Sequence, residues 1–181
     1  MLGQSKKLIN MAYISTIAAL YVVLTFVSGA LGLAYSGVQL RLSEMLTILP
    51  VFSPLAIPGL AIGCFIANLA SPFGLVDVIF GTLSTLIAAF LTRLLRKIKI
   101  KNIPFLAPLP PVLFGSASVS LIILSVSSNI FTLEMFIFLT LSIGLGQFIT
   151  CYLFGIPLFI VLNKLKIFDN LEKIRKGVKK I

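Results

Sequence analysis

The sequence predicts an all-α integral membrane protein of six transmembrane helices, with both termini in the cytoplasm. Three observations predict it. Of 181 residues, 59% are apolar and only 11% are charged, and the mean hydropathy is +1.13; soluble domains stay near half apolar and a quarter charged. The apolar residues gather in runs that approach the roughly 20 residues a bilayer requires. All but Arg41 of the 15 basic residues fall in three groups bordering those runs. The groups are Lys6 and Lys7; Arg93, Arg96, Lys97, Lys99 and Lys101; and Lys164, Lys166, Lys173, Arg175, Lys176, Lys179 and Lys180. Juxtamembrane clusters of this kind set orientation and meet anionic headgroups, so the net charge of +10 points to lipid and not to nucleic acid. No separate soluble domain fits, and residues 1–181 are expected to form a single membrane domain. No small-residue cleavage site follows the first apolar run, so no cleaved signal peptide is expected.

The elements follow in order. Helix one is predicted over 8–28, ending at Ser28 and Gly29, and GALGLAYSGVQL (29–40) is a Gly-rich loop. The stretch 42–71 is interrupted by Pro50, Pro54, Pro58 and Gly59. Proline removes a backbone donor and disfavours helix just before itself, so the stretch splits into helices near 42–53 and 56–70, both short enough to be re-entrant. Helix four covers 75–95, before the basic loop KIKIKN. Helix five covers 106–128, with an irregular Pro-rich start, and helix six covers 134–163, bent at its glycines and Pro157. The tail 164–181 is basic and amphipathic, suited to the membrane surface. Charge tests the count: six crossings put all three basic groups on one side, whereas a single crossing by 42–71 would put the 93–101 group outside.

This topology gathers the unusual polar groups in the outer half. Gln39, Arg41 and Glu44 begin helix two, Asn68 and Asp77 flank the next outer turn, Glu134 starts helix six, and Gln147 lies further in. A charge in the membrane is costly and marks a functional site by default. Each has a plainer explanation. Arg41 and Glu44, three apart, share a helix face and form an interfacial ion pair, with Ser43 as a cap. Asp77 is a first-turn acid favoured by the helix dipole. Asn68 and Gln147 are interhelical hydrogen-bond groups. Glu134, after Thr132, is simply a helix start. In MAYISTIAAL, Ala12 and Thr16, and Ser15 and Ala19, lie four apart, a spacing of small residues that lets a helix approach closely.

Several chemistries are excluded. The chain has no histidine, which removes His-ligated zinc and any Ser–His arrangement. No GxxxxGK[ST] is present, so the chain has no P-loop of its own. Cys64 and Cys151 lie inside apolar runs and fit small buried hydrophobes. No enzyme activity, metal or cofactor is expected.

The strings RLSEMLTILPVFSPLAIPGLAIGCFIANL, DVIFGTLSTLIAAFLT, LAPLPPVLFGS and CYLFGIPL resemble the QueT family, which are substrate-binding membrane components (S components) of energy-coupling factor transporters. The resemblance covers residues 10–162. It implies a six-helix S-component bundle in the cell membrane that captures queuosine, queuine or another 7-deazaguanine precursor at its outer face. It implies docking on a transmembrane coupling protein with two cytoplasmic ATPases, followed by toppling of the S component in the bilayer. Ala12, Ser15, Thr16 and Ala19 match the docking face, although the alanine pair of the family is only approximate here. Gln147 stands where the family pattern has an acid; an amide both donates and accepts, whereas a carboxylate only accepts.

The residues themselves suit such a ligand. Glu44 or Asp77 can accept two N–H bonds from a deazaguanine edge, Asn68 or Gln147 can serve its carbonyl, and Tyr35 and Phe73 can stack on the ring. Three rivals stand beside this expectation. One is a self-sufficient secondary transporter, against which the lack of an internal repeat counts. Another is an S component for a different vitamin-like ligand. The third is a membrane scaffold whose polar groups only join helices.

Overall fold

The computed structural model describes residues 2–34, 38–127 and 131–177. Its helical elements are α1 (Leu2–Ala30), a 3-10 helix (Leu42–Val51), α2 (Ala56–Asn68), α3 (Gly74–Leu95), α4 (Pro111–Val126), α5 (Leu133–Lys164) and α6 (Ile167–Gly177). Lys6–Ala30 of α1, all of α3 and all of α5 are long and apolar enough to cross a membrane; the 3-10 helix, α2 and α4 are shorter apolar helices. Large side chains such as Leu20, Val23, Phe26, Leu83, Ile87 and Phe90 are exposed. In lipid they meet a solvent as apolar as themselves. Between α3 and α4 the basic loop turns back on itself through Lys101 and Asn102, both with positive φ, and Ile100 and Ile103 exchange two backbone hydrogen bonds. Among the described residues this bridge is the sole β-type pairing.

Small residues set the packing of the first two helices. α1 lies along α2, and a Cβ added at Gly63 would sit 2.7 Å from Tyr21 Cβ and 2.9 Å from the Ala18 carbonyl. This spacing is the close backbone approach that small residues permit in membranes. It brings Tyr21 into the core with Ile17, Leu46, Leu49, Leu60 and Cys64. α2 then packs on α3, and α4 on α5.

The centre of the bundle is the 3-10 helix, which touches α1, α2, α3 and α5. The sequence predicts an ordinary short helix here, but the observed geometry is 3-10 over ten residues, where runs beyond three or four are uncommon. Seven of its residues are buried: Ser43, Glu44, Leu46, Thr47, Ile48, Leu49 and Pro50. Burial from several sides, rather than propensity, holds this form. Side chains also tie its ends. The Ser28 hydroxyl accepts from the Leu42 amide at 2.9 Å, and Arg93 donates from Nη1 to the carbonyls of Pro50 and Val51 at 2.9 Å each.

Three of the helices around it carry a π-turn: Asp77–Gly81 in α3, Pro111–Gly115 in α4 and Ile149–Phe154 in α5. A π-turn frees backbone carbonyls that lipid cannot satisfy. In the α4 turn hydroxyls add bonds to the carbonyls: Ser84 donates to the Phe114 carbonyl at 3.2 Å and Ser116 to the Val112 carbonyl at 2.6 Å.

At the far end of the bundle, Phe168 of α6 stacks on Phe52 with ring centroids 4.4 Å apart, and Phe52 stacks on Phe159 at 4.9 Å. Beside them a groove of about 880 Å³ opens between α1, the end of the 3-10 helix and α6. Ala12 and Thr16 lie on its wall, and Ala12, Ser15, Thr16 and Ala19 are all exposed.

Candidate substrate-binding site

A polar stripe on α1 builds the first wall. Tyr21, Thr25 and Ser28 are four and three residues apart, so they share one face, and that face meets the start of the 3-10 helix. The Tyr21 hydroxyl donates to Glu44 Oε1 at 2.6 Å. The Thr25 hydroxyl bonds Ser43 Oγ at 2.8 Å, and Ser28 receives the Leu42 amide. Glu44 is thereby held in the interior with one oxygen engaged. Ser43 does not cap the helix, as its sequence position suggests; the capping position is Arg41, in extended backbone.

The expected Arg41–Glu44 pairing on one helix face is replaced by a different ion pair. Arg41 precedes the 3-10 helix, and its Nη2 lies 3.5 Å from Asp77 Oδ2 on α3, with both side chains buried. Its Nε donates to the Ala34 carbonyl at 3.3 Å. The physical reason is geometric: an extended residue ahead of the first turn does not share the face of the residue three later. Asp77, in the first turns of α3, also accepts from the Ser71 hydroxyl at 2.5 Å through Oδ2.

Asn68, at the end of α2, donates from Nδ2 to the Asp77 backbone carbonyl at 3.0 Å and to Cys64 Sγ at 3.4 Å. Thr85 donates to the same sulfur at 3.2 Å. Gln147 of α5 lies against Gly115 of α4, where an added Cβ would be 2.6 Å from Gln147 Nε2. Gly146 next to it leaves space for the Gln39 backbone.

These side chains enclose a cavity of about 20 Å³, lined by Arg41, Glu44, Cys64, Gly81, Pro111, Gly115 and Gln147 among others. Such a volume holds about one water. Among the buried polar atoms that make no hydrogen bond with the described residues are Gln39 Nε2, Asn68 Oδ1, Asp77 Oδ1 and Gln147 Oε1. Buried polar atoms are normally paired. Three of these atoms are acceptors and one is a donor.

Of the residues expected at the site, Arg41, Glu44 and Gln147 line the cavity; Asp77 joins them through its ion pair with Arg41 and Asn68 through its hydrogen bond to the Asp77 carbonyl, and neither lines it. Phe73 is half-buried in the turn before α3, away from the cavity lining, and Tyr35 lies outside the described residues. Glu134 is exposed in the first turn of α5, where Thr132 caps the Met135 amide, so it is a helix start. The expectations omit Tyr21, Thr25, Ser71 and Thr85. The stripe Tyr21–Thr25–Ser28 in an apolar run was a readable signal for the first two. Tyr21→Phe strands Glu44 Oε1 without its donor, and about 1–3 kcal/mol of stability is expected to be lost, read as a lower unfolding temperature in detergent.

The family profile described as QueT transporter matches residues 11–164 of the chain. The chain belongs to the QueT transporter family. It is a family of transporters, not of enzymes, and with its several apolar helices the chain is a multi-pass membrane protein. One relative is the queuosine precursor transporter QueT of Lactococcus lactis subsp. cremoris (strain MG1363). It is 42% identical over 84 residues, which are 46% of this chain and 49% of that protein. The matched part thus spans about half the length of the curated relative. No solved structure matches the chain.

Proposed function

We propose that the chain is the substrate-binding membrane subunit of an ATP-driven importer of the energy-coupling factor type, and that it captures a 7-deazaguanine related to queuosine. The observation that carries this is the buried polar group of Arg41, Glu44, Asp77, Asn68 and Gln147, in which acceptor atoms of Asp77, Asn68 and Gln147 make no hydrogen bond with the described residues. A deazaguanine edge presents a ring N–H and an exocyclic amine beside a carbonyl. The acceptors of Asp77, Asn68 and Glu44 suit the former, and the amide N–H of Gln39 suits the latter. The name of the Lactococcus relative supports the substrate class.

The closed cavity of about 20 Å³ sets a further requirement, because pockets for small molecules run to about 300 Å³ and more. The site opens to admit its ligand. The six apolar helices form six crossings with both termini and the three basic groups on the cytoplasmic side, and the polar centre lies toward the outside. The groove of about 880 Å³ beside Ala12 and Thr16, walled largely by Leu, Ile and Phe, suits an apolar helix of the coupling protein, whose two cytoplasmic ATPases supply the energy this chain cannot.

The test is calorimetric titration of the purified, detergent-solubilised chain with queuine and two deazaguanine precursors, using guanine and riboflavin as controls. Selective binding of the deazaguanines is expected, with uptake into vesicles only when the coupling protein and ATPases are present. Binding of none of them removes the substrate class. Uptake by the chain alone, driven by an ion gradient, replaces the importer subunit with a secondary transporter.

A further inference from the structure

The groove between α1, the end of the 3-10 helix and α6 is largely apolar, with a volume of about 880 Å³, but its rim is acidic. The chain has five acidic residues. Glu44 and Asp77 belong to the buried centre and Glu134 starts α5, whereas Asp169 and Glu172 of α6 line this groove and are exposed. They stand within the basic group that runs from Lys164 through Lys173. The dipole of α6 favours an acid in its first turn, where Asp169 lies, but does not extend to Glu172. Phe168, next to Asp169, meets Tyr13 of α1 edge to face at 6.0 Å. Asn10, one turn before Tyr13, lines the same groove, and its Oδ1 makes no hydrogen bond with the described residues. The lining also includes a cation, Arg93, which donates to the Pro50 and Val51 carbonyls. This end of the groove therefore offers an occupant negative charge and an open acceptor.

We infer that the segment seated in this groove is an amphipathic helix whose apolar face fills it and whose Lys or Arg meets Asp169 and Glu172. This deepens the proposed docking of the coupling protein and rests on it. The small residues Ala12 and Thr16 admit a helix; the two carboxylates decide which helix and speed its approach. Complementary charge steers encounter and rejects wrong partners more than it adds affinity. An anionic lipid headgroup, which the surrounding basic residues attract, is repelled at this rim.

The experiment follows association of the detergent-solubilised chain with the purified module of coupling protein and ATPases, by surface-immobilised kinetics at low and high salt. Wild-type association is expected to slow about tenfold at high salt, because exposed rim charges are screened. Asp169→Asn with Glu172→Gln is expected to associate about tenfold more slowly at low salt and to lose most of the salt dependence. The charge-keeping exchange Asp169→Glu with Glu172→Asp retains the wild-type rate, which separates charge from fold. Thr16→Leu, which crowds the groove wall, weakens docking at either salt concentration. A neutralised pair that matches wild type at both, beside an impaired Thr16→Leu, overturns the inference and leaves the docking reading standing. No association of the wild-type chain overturns both. Self-association of the wild-type chain, seen by light scattering and lost in the neutralised pair, makes the occupant a second copy and overturns the inference.

Discussion

Glu44→Gln is expected to weaken binding of the proposed 7-deazaguanine by about 100-fold or more and to leave the protein folded. Both halves follow from the geometry. The Gln carbonyl oxygen can still accept from the Tyr21 hydroxyl, which now reaches Glu44 Oε1 at 2.6 Å, so the clamp between α1 and the 3-10 helix persists. The other position changes from an acceptor to an N–H donor, opposed to the donors the proposed ligand would bring to the cavity that Glu44 lines. Sites built to hydrogen-bond a ligand penalise a mispaired group by factors of about 100 or more, because a buried polar atom is left without a partner. Titration calorimetry beside a thermal melt in the same detergent separates the two effects. Lost binding with an unchanged melting temperature is the expected pattern. Unchanged affinity would remove Glu44 from the ligand's reach.

Gly146→Ala is expected to destabilise the fold by about 3 kcal/mol or more, at or beyond the upper end for overpacked sites. The added Cβ would overlap the Gln39 carbonyl oxygen and lie 2.8 Å from its carbonyl carbon. Backbone cannot swing aside like the tip of a side chain, so either the segment before Arg41 or α5 itself must move. Arg41 is only two residues further on, and its ion pair with Asp77 would be displaced as well. Gly144→Ala, one half-turn earlier on the same helix, is the control. There the nearest atom to an added Cβ is Ser116 Oγ at 3.5 Å, an ordinary contact, and alanine is the better helix former by about 1 kcal/mol. The first variant should melt far below wild type and the second at or above it. Equal melting temperatures would mean that the loop does not cross α5 at Gly146.

The all-helical class and the membrane location were legible because hydropathy and basic clusters act along the chain, without reference to tertiary structure. The polar residues of the centre were legible for a related reason: Arg41, Glu44, Asp77, Asn68 and Gln147 are anomalies in an apolar chain, and lipid leaves such anomalies few places to go. Their pairing was not legible. Arg41 and Glu44 look like a helical pair at spacing three, but the backbone is extended at Arg41 and 3-10 after it, which sends the guanidinium to Asp77 instead. Nor does any local pattern announce that π-turns at Asp77–Gly81, Pro111–Gly115 and Ile149–Phe154 would place Gly81, Pro111 and Gly115 around one cavity. Those turns are settled by helix against helix, and the sequence shows only glycines and prolines that several geometries would accommodate.

The 3-10 helix can also be measured as a length. At about 2.0 Å per residue, the ten residues Leu42–Val51 extend about 20 Å, where an α-helix of the same residues would reach about 15 Å. The hydrocarbon layer is about 30 Å deep. Ten residues therefore cover a length equal to some two-thirds of that depth, further than their number suggests. A helix end inside lipid must find its backbone partners within the protein. The Ser28 hydroxyl at the first amide and the Arg93 guanidinium at the last carbonyls supply such partners at both ends of this segment.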